Sequence, residues 1–206
     1  MPGIAEASAA VSSYMSALIL ASASPRRQEL LKLLGYPFIT QPADILEQKH
    51  PQESPSDYVQ RLAQEKAMAV LMQSAQPDTA VLGSDTVVVV ANEVLEKPVN
   101  FEHFQAMMQR LSGRSHQVYT AVCLATANQQ WQCCVVTDVT FRELSAEDIE
   151  TYWASGEPKD KAGGYGIQGL AGKFVTRVNG SYFAVVGLPL YETEHLLKQW
   201  LATDSE

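Results

Sequence analysis

A long apolar run in the middle of the chain constrains the fold more than any other feature. Residues 79–91 read TAVLGSDTVVVVA, with short or apolar side chains on both sides of a single acidic residue, Asp85. A strand that lacks alternation between hydrophobic and polar residues is usually buried on both faces, as in sheets that lie between layers of helices. The run therefore predicts an α/β or α+β fold built on a mixed sheet.

Other signals place helices and strands around this strand. Helix starts are indicated at Ser24, Ser54, Asn100 and Ser145, where a capping residue precedes an amphipathic stretch, and at Pro189. Strands are predicted at residues 18–22, 115–126 and 131–141. The Asn179-Gly180 turn signal predicts a hairpin with strands at 173–178 and 181–187.

Length and charge limit the classes of protein to consider. The 206 residues and the formal net charge of −8 indicate one domain, or one domain of two lobes, and disfavour general nucleic-acid binding. No apolar run reaches the roughly 18 residues of a membrane helix. We predict a disordered N-terminal tail at residues 1–16 and a single domain at residues 17–203. Because the first basic residue is Arg26 and the three cysteines lack zinc-binding spacing, we expect free thiols and a cytoplasmic protein.

Asp85 is the first candidate functional residue. An ionised carboxylate inside an apolar strand is unfavourable unless it is paired, hydrogen-bonded or bound to a metal. Two interpretations are open. Asp85 is either a functional carboxylate or a residue that reaches water at a break in the strand near Gly83 and Ser84.

The second candidate is the turn from the first strand into the first helix, where residues 22–27 read SASPRR. Free backbone N–H groups, the positive end of the helix dipole and arginine side chains together favour binding of an anion such as phosphate. The alternative is an ordinary helix cap with surface arginines. Lys66, which lies within the apolar stripe of its helix, and Lys97 either join such a site or extend to solvent.

The glycine-rich segment at residues 160–169 is the third candidate. Its GxGxxG pattern, Gly164 to Gly169, follows a helix and leads into a strand, which is the reverse of the order in dinucleotide-binding folds. We interpret the segment as a loop whose backbone lies close to a ligand and whose Gln168 reads hydrogen-bonding groups, with a flexible linker as the alternative. The sequence contains no P-loop, HExxH or GxSxG motif.

Six short motifs, taken together and in this order, resemble those of the Maf family of nucleotide pyrophosphatases. They are SASPRR at 22–27, GSDT at 83–86, EKP at 96–98, LSGR at 111–114, DKAG at 160–163 and YGIQG at 165–169. The resemblance implies a Maf-like (ITPase-like) α/β fold of two lobes, in which helices flank a long, mixed, twisted sheet and a cleft separates the lobes. It also implies hydrolysis of a nucleoside triphosphate to the monophosphate and pyrophosphate, including removal of non-standard nucleotides. Among the branches of the family, the sequence resembles the one that acts on dTTP and UTP.

The same resemblance implies roles for individual residues. Asp85 matches the family's proton acceptor, and the residues that match those linked to base choice are Arg26, Thr86 and Gln168. The side chains expected to bind phosphate are Ser24, Arg27, Lys66, Lys97 and Lys161. Those expected to hold a divalent cation, Mg²⁺ or Mn²⁺, are Glu47 and Asp85.

The expected partners are a nucleoside triphosphate and, as an assembly to be tested, a second copy of the chain in a homodimer. Neither nucleic acid nor a membrane is expected. Two alternatives to the dTTP/UTP pyrophosphatase are open. One is a non-catalytic, nucleotide-binding regulator of septum formation that uses the same pocket. The other is a 7-methyl-GTP pyrophosphatase, which Thr86 and Gln168 disfavour.

Overall fold

The computed structural model describes residues 18–74 and 78–203. The predicted tail at residues 1–16 lies outside the described residues, and so does the predicted start of the domain at residue 17. Both remain predictions.

The described residues form one mixed sheet and the helices around it. The strands are β1 (Leu18–Leu20), β2 (Ile39–Thr40), β3 (Ala80–Val90), β4 (Glu93–Leu95), β5 (Ser115–Ala125), β6 (Gln130–Phe141) and β7 (Val175–Asn179). The α-helices are α1 (Pro25–Leu33), α2 (Pro55–Leu71), α3 (Phe101–Leu111), α4 (Ala146–Ala154), α5 (Tyr182–Val186) and α6 (Leu190–Thr203). Between α4 and β7 lie short 3₁₀ helices at Glu157–Asp160, Ala162–Gly164 and Leu170–Phe174.

The sheet has the strand order β2-β1-β3-β5-β6-β7, with β4 paired to β3 off this path. β1 is parallel to both β2 and β3, whereas β3, β5, β6 and β7 are successively antiparallel. The predicted mixed sheet flanked by helices is confirmed, and its class is α/β.

Both faces of β3 are covered, as its apolar sequence predicts. On one face, Val81, Val87 and Val89 pack against α2. On the other face, α1 and α6 cover the end that contains Leu82, while α3, α4 and the 3₁₀ segments cover the end that contains Val88. The core on this second face is therefore split between two lobes, and the strand crosses the space between them.

Helix starts lie where the sequence predicts them. The N-cap residues Ser24, Ser54, Asn100 and Ser145 each accept a backbone hydrogen bond from the first turn of their helix. At Ser145 the reciprocal bond, which the Ser145 amide donates to the Asp148 carboxylate at 2.9 Å, completes a capping box. The described helices include none that is both long and apolar enough to cross a membrane.

The predicted hairpin around Asn179-Gly180 is half wrong. Its first strand corresponds to β7, but residues 182–186 form the helix α5 instead of a second strand. Ser181 caps that helix by accepting from the Ala184 amide at 3.1 Å, and its own amide donates to Thr137 Oγ1 at 3.0 Å. These side-chain contacts turn the chain into a helix although its apolar residues favour a strand.

Candidate active site

A cleft of about 530 Å³ opens at a gap along one edge of β3. β1 pairs with β3 only as far as Leu82, and β4 pairs with it only from Val88 onward. Between these points, that edge of β3 has no neighbouring strand in the described parts of the chain. Asp85 and Thr86 point to opposite faces of the strand, and the gap allows both to line the same cleft. Asp85 lies inside a continuous strand and is buried, so its interpretation as a residue that reaches water at a strand break is wrong.

Every site residue proposed from the sequence lines this cleft. They are Ser24, Arg26, Arg27, Glu47, Lys66, Asp85, Thr86, Lys97, Lys161 and Gln168. The turn after β1, the loop after β2, helix α2, strand β3 and the glycine-rich segment therefore meet at one place.

Lys66 is at the centre of a buried charged cluster. Its ammonium group donates to Asp85 Oδ1 at 2.7 Å and to Glu47 Oε1 at 2.8 Å. The side chains of Lys66 and Asp85 are only 10% and 8% exposed. Helix α2 can approach β3 this closely because residue 83 is glycine, since a Cβ at that position would collide with the backbone of α2. Of the two alternatives open for Lys66, its side chain therefore joins the cleft and does not extend to solvent.

The two carboxylates of this cluster differ in their affinity for protons. Burial raises the pKa of Asp85 above its usual range, and the charges of Lys66 and Arg27 offset this only in part. Burial also acts to raise the pKa of Glu47, but the hydrogen bond from Lys66 and the nearby cations outweigh it, and the pKa falls below its usual value. Asp85 is therefore the better proton acceptor of the pair.

A chain of hydrogen bonds orients Arg27. Its Nε donates to the Gly187 carbonyl at 2.8 Å, and its Nη2 donates to Thr86 Oγ1 at 3.0 Å. Thr86 Oγ1 lies 3.0 Å from Thr120 Oγ1, and Thr120 donates to the Ala184 carbonyl at 2.7 Å. Because Thr120 uses its hydroxyl proton on that carbonyl, Thr86 donates to Thr120 while it accepts from Arg27. The hydroxyl proton of Thr86 is thus already engaged, and Thr86 holds the guanidinium group in place.

The helix-cap interpretation of residues 22–27 is confirmed, and the anion-binding interpretation stays a prediction. Ser24 caps α1 by accepting from the Arg27 amide at 3.4 Å, as an ordinary helix cap does. The same helix start also lines the cleft together with Arg26 and Arg27. The positive end of α1 is therefore directed toward the place where an anion would bind.

The two remaining lysines lie on the rim of the cleft. Lys97 is 60% exposed, and its ammonium lies 3.7 Å from Glu47 Oε2. Lys161 donates to the Glu157 carbonyl at 2.8 Å and to Asp160 Oδ1 at 2.9 Å. Each ammonium keeps at least one N–H that these contacts do not use.

The glycine-rich segment is a packed wall of the cleft, so the linker alternative is wrong. Gly163, Gly164 and Tyr165 are buried, and Tyr165 Oη lies 2.6 Å from His116 Nε2. Tyr165 is thus a buried aromatic residue at the cleft. Gln168 follows on the exposed side and lines the cleft.

Sequence reasoning missed two groups at this site. Tyr58 is buried beneath the cleft and donates to Glu96 Oε1 at 3.2 Å. The helical period contains a signal for it, because Tyr58 lies on the same stripe of α2 as Lys66. Thr120 carries no such signal, and only the strand register, which places it opposite Thr86, reveals its role.

Comparisons with known proteins agree with this arrangement. A family model described as "Maf-like protein" matches residues 17–200. The chain belongs to the Maf family. This Maf protein is 58% identical over 184 residues to a Vibrio parahaemolyticus serotype O3:K6 (strain RIMD 2210633) protein named dTTP/UTP pyrophosphatase, with 89% of this chain and 97% of that relative covered. It is also 58% identical over 188 residues to a Shigella sonnei (strain Ss046) protein of the same name and to a Shigella flexneri protein named nucleoside triphosphate pyrophosphatase, with 91% of this chain and 95% of each relative covered.

Glu47 and Asp85 of this Maf protein fit a divalent cation that takes its other ligands from phosphate oxygens and water. In the described residues, no group of three or more His, Cys, Asp or Glu side chains is arranged to hold a metal ion. Glu47 and Asp85 nevertheless converge on a single positive group, the ammonium of Lys66. Mg²⁺ commonly binds to one or two carboxylates and completes its shell with phosphate oxygens and water, which this pair allows.

Proposed function

We propose that this Maf protein is a hydrolase that converts dTTP and UTP to the monophosphate and pyrophosphate. The observation that carries the proposal is the placement of Asp85, a buried carboxylate at the open edge of β3 in a cleft lined with cationic side chains. The curated names of the relatives support the same activity. Removal of non-standard nucleotides of similar shape is part of the proposal.

The phosphate chain would bind between the start of α1 and the rim lysines. Arg27 has five N–H donors, two of which hold Thr86 and Gly187, so the others can serve phosphate oxygens. Lys97 and Lys161 would add positive charge at the rim, and the N-terminus of α1 with Ser24 would add backbone donors. These groups stabilise charge that develops on the leaving pyrophosphate.

Asp85 would act as the proton acceptor in the attack of water on the α-phosphorus. Oδ1 accepts from Lys66, which leaves Oδ2 to accept from a water molecule. As the water oxygen bonds to the α-phosphorus, the bond from that phosphorus to the bridging oxygen breaks and pyrophosphate leaves. The water proton passes to Asp85, whose raised pKa brings its proton affinity closer to neutral pH.

A divalent cation, Mg²⁺ or Mn²⁺, would neutralise phosphate charge when it is bound. Glu47 and Asp85 are the residues that would hold it. Lys66 keeps the two carboxylates together and supplies a compensating charge that limits their mutual repulsion.

Base choice would depend on Gln168 together with Arg26 and Thr86. Thymine and uracil present two carbonyl groups and one N–H, and a glutamine amide can both donate and accept. Thr86 would act mainly by holding Arg27, because its hydroxyl proton is directed to Thr120. We also propose a cytoplasmic location, which suits the three free cysteines.

Product analysis tests the proposal. The protein would be incubated with Mg²⁺ and dTTP, UTP, dCTP or 7-methyl-GTP, and the nucleotides and phosphates would be separated by ion-exchange chromatography. We expect dTMP and UMP with one equivalent of pyrophosphate, formed fastest from dTTP and UTP. Formation of dTDP with inorganic phosphate would contradict the proposed bond cleavage. Binding of dTTP without turnover would instead favour the nucleotide-binding regulator, and preferential cleavage of 7-methyl-GTP would favour the other enzyme.

A further inference from the structure

The segment that carries Gln168 is held at both ends by a single pair of side chains. We call residues 166–170 the Gln168 loop. At its start, the Gly166 amide donates to Tyr152 Oη at 3.2 Å. At its end, the Leu170 amide donates to Glu157 Oε2 at 3.0 Å. Gln168 lies midway between these two anchors.

The two anchors are joined to each other. Tyr152 Oη donates to Glu157 Oε1 at 2.8 Å, so the phenol and the carboxylate form one unit that spans the loop. The loop lies directly over this unit, because a Cβ at position 169 would collide with the Glu157 carboxylate. A larger residue at position 169 would therefore displace the Glu157 carboxylate from its place under the loop.

The unit rests on a rigid base. Tyr152 is 1% exposed, and its ring packs against Phe104 and Phe174. Burial, with the neighbouring Glu157 charge acting in the same direction, raises the pKa of Tyr152, so that the hydroxyl stays protonated and can donate to Glu157. The aromatic core thereby sets the position of the loop backbone.

The side chain of Gln168 is exposed at the cleft and makes no hydrogen bond to any other described residue. Its amide is thus available for a ligand, and its position depends on the backbone that carries it. We propose that Tyr152 and Glu157 are positioning residues for base selection, which hold the Gln168 loop so that the Gln168 amide meets the pyrimidine edge. This inference rests on the proposed function, because it concerns selectivity among nucleoside triphosphates.

The variant Tyr152→Phe tests this proposal with little change in volume. It removes the acceptor for the Gly166 amide and the donor to Glu157 but keeps the ring in the aromatic core. The contact of Lys161 with Glu157 involves a backbone carbonyl, so Tyr152→Phe removes no hydrogen bond of this phosphate-side lysine. We therefore expect the kcat for dTTP to change by less than about twofold and its KM to rise. The ratio of kcat/KM for dTTP to that for dCTP should fall by about fivefold, the effect of losing one hydrogen bond.

A double-mutant cycle separates positioning from a general structural effect. If Tyr152 acts through Gln168, Tyr152→Phe should not lower the dTTP-to-dCTP ratio further in a Gln168→Ala protein. Tyr119→Phe is the matched control, because it removes a tyrosine hydroxyl whose only hydrogen-bond partner among the described residues is Gln117, on the exposed part of β5. It should leave the ratio unchanged. Glu157→Gln is a second variant for the case in which Tyr152→Phe folds poorly. It keeps an acceptor for the Leu170 amide and should lower the ratio in the same direction, but less.

The outcomes distinguish this inference from the proposed function. A wild-type protein that does not cleave dTTP, or does not prefer it to dCTP, contradicts the proposed function itself. A wild-type protein that prefers dTTP, together with folded Tyr152→Phe and Glu157→Gln proteins that keep the full ratio, overturns only the inference. An additional loss of selectivity in the Gln168→Ala background overturns it as well.

Discussion

Removal of the Lys66 ammonium should destabilise the fold far more than removal of a surface lysine. Lys66→Met keeps the unbranched stem but leaves Asp85, whose side chain is 8% exposed, without its partner at 2.7 Å. Loss of one partner of a buried ion pair costs about 3–5 kcal/mol, because the remaining charge is left without compensation. Glu47 is 40% exposed, and the loss of its contact should add no more than about 1 kcal/mol. We expect the free energy of unfolding to fall by about 3–6 kcal/mol in total.

The magnitude would be measured by urea unfolding, followed by circular dichroism, of four proteins. They are the wild type, Lys66→Met, Lys66→Met with Asp85→Asn, and Lys198→Met. Lys198 is the matched control, because it forms an exposed pair with Glu194 at 3.0 Å, and its replacement should leave the free energy of unfolding nearly unchanged. The double variant should be more stable than Lys66→Met alone, since it no longer buries an uncompensated carboxylate.

The pH dependence of the free energy of unfolding provides a second test of the buried ion pair. Without Lys66, the pKa of Asp85 in the folded protein rises further above its value in the unfolded chain. The folded variant then binds more protons than the unfolded one, and its stability falls as the pH rises. The stability gap between wild type and Lys66→Met should therefore narrow from neutral pH to about pH 5. Equal losses in the single and double variants, or a gap independent of pH, would refute the assignment of a buried ion pair.

Three further predictions concern the base site, the core and the N-terminus. Gln168→Ala should bring the kcat/KM for dTTP closer to that for other triphosphates, because a buried pyrimidine group loses a hydrogen-bond partner worth about 1–3 kcal/mol. If kcat/KM across a panel of triphosphates is unchanged, Gln168 takes no part in base selection. Burial lowers the pKa of His116 from 6.5 to about 4, so that only the unfolded chain takes up this proton as the pH falls through that window. Wild-type stability should drop there by up to about 3 kcal/mol, and urea unfolding of His116→Phe should show a flatter dependence on pH; equal slopes would contradict the shift. A chain that begins at Met15 should keep its melting temperature and dTTP turnover, because residues 1–14 show no hydrophobic period; a large loss of either would show that the segment contributes to the fold.

The fold class follows from features that the sequence displays locally. The absence of alternation around Asp85 predicts a strand covered on both faces, and the caps at residues such as Ser54 and Asn100 predict where helices begin. β4 was not predicted, because its tight turn uses Ala91 and Asn92 at φ angles of 49° and 64°, and alanine is unusual in that conformation. The helix α5 was missed because tertiary contacts of Ser181 override its strand-like composition.

The residues that form the site could be predicted from the sequence, but their arrangement in space could not. All ten site residues proposed from the sequence line the cleft, and eight of them lie in the motifs that resemble the Maf family, Glu47 and Lys66 being the two outside them. The gap in the edge of β3 depends on where β1 ends and β4 begins, which no single segment encodes. Likewise, the contact of Lys66 with Asp85 depends on the close approach of α2 at Gly83, and the role of Thr120 depends on strand register.

The turnover of dTTP by Asp85→Asn tests the central claim most directly. The substitution keeps the shape of the side chain but removes its charge and its ability to take up a proton. Loss of a general base lowers a rate by about 10²–10⁴, so kcat should fall at least about a hundredfold. Circular dichroism at the assay temperature is the control for folding, and calorimetry with a non-hydrolysable dTTP analogue should show that binding is retained. A folded Asp85→Asn protein that releases pyrophosphate from dTTP at a near-normal rate would contradict the account.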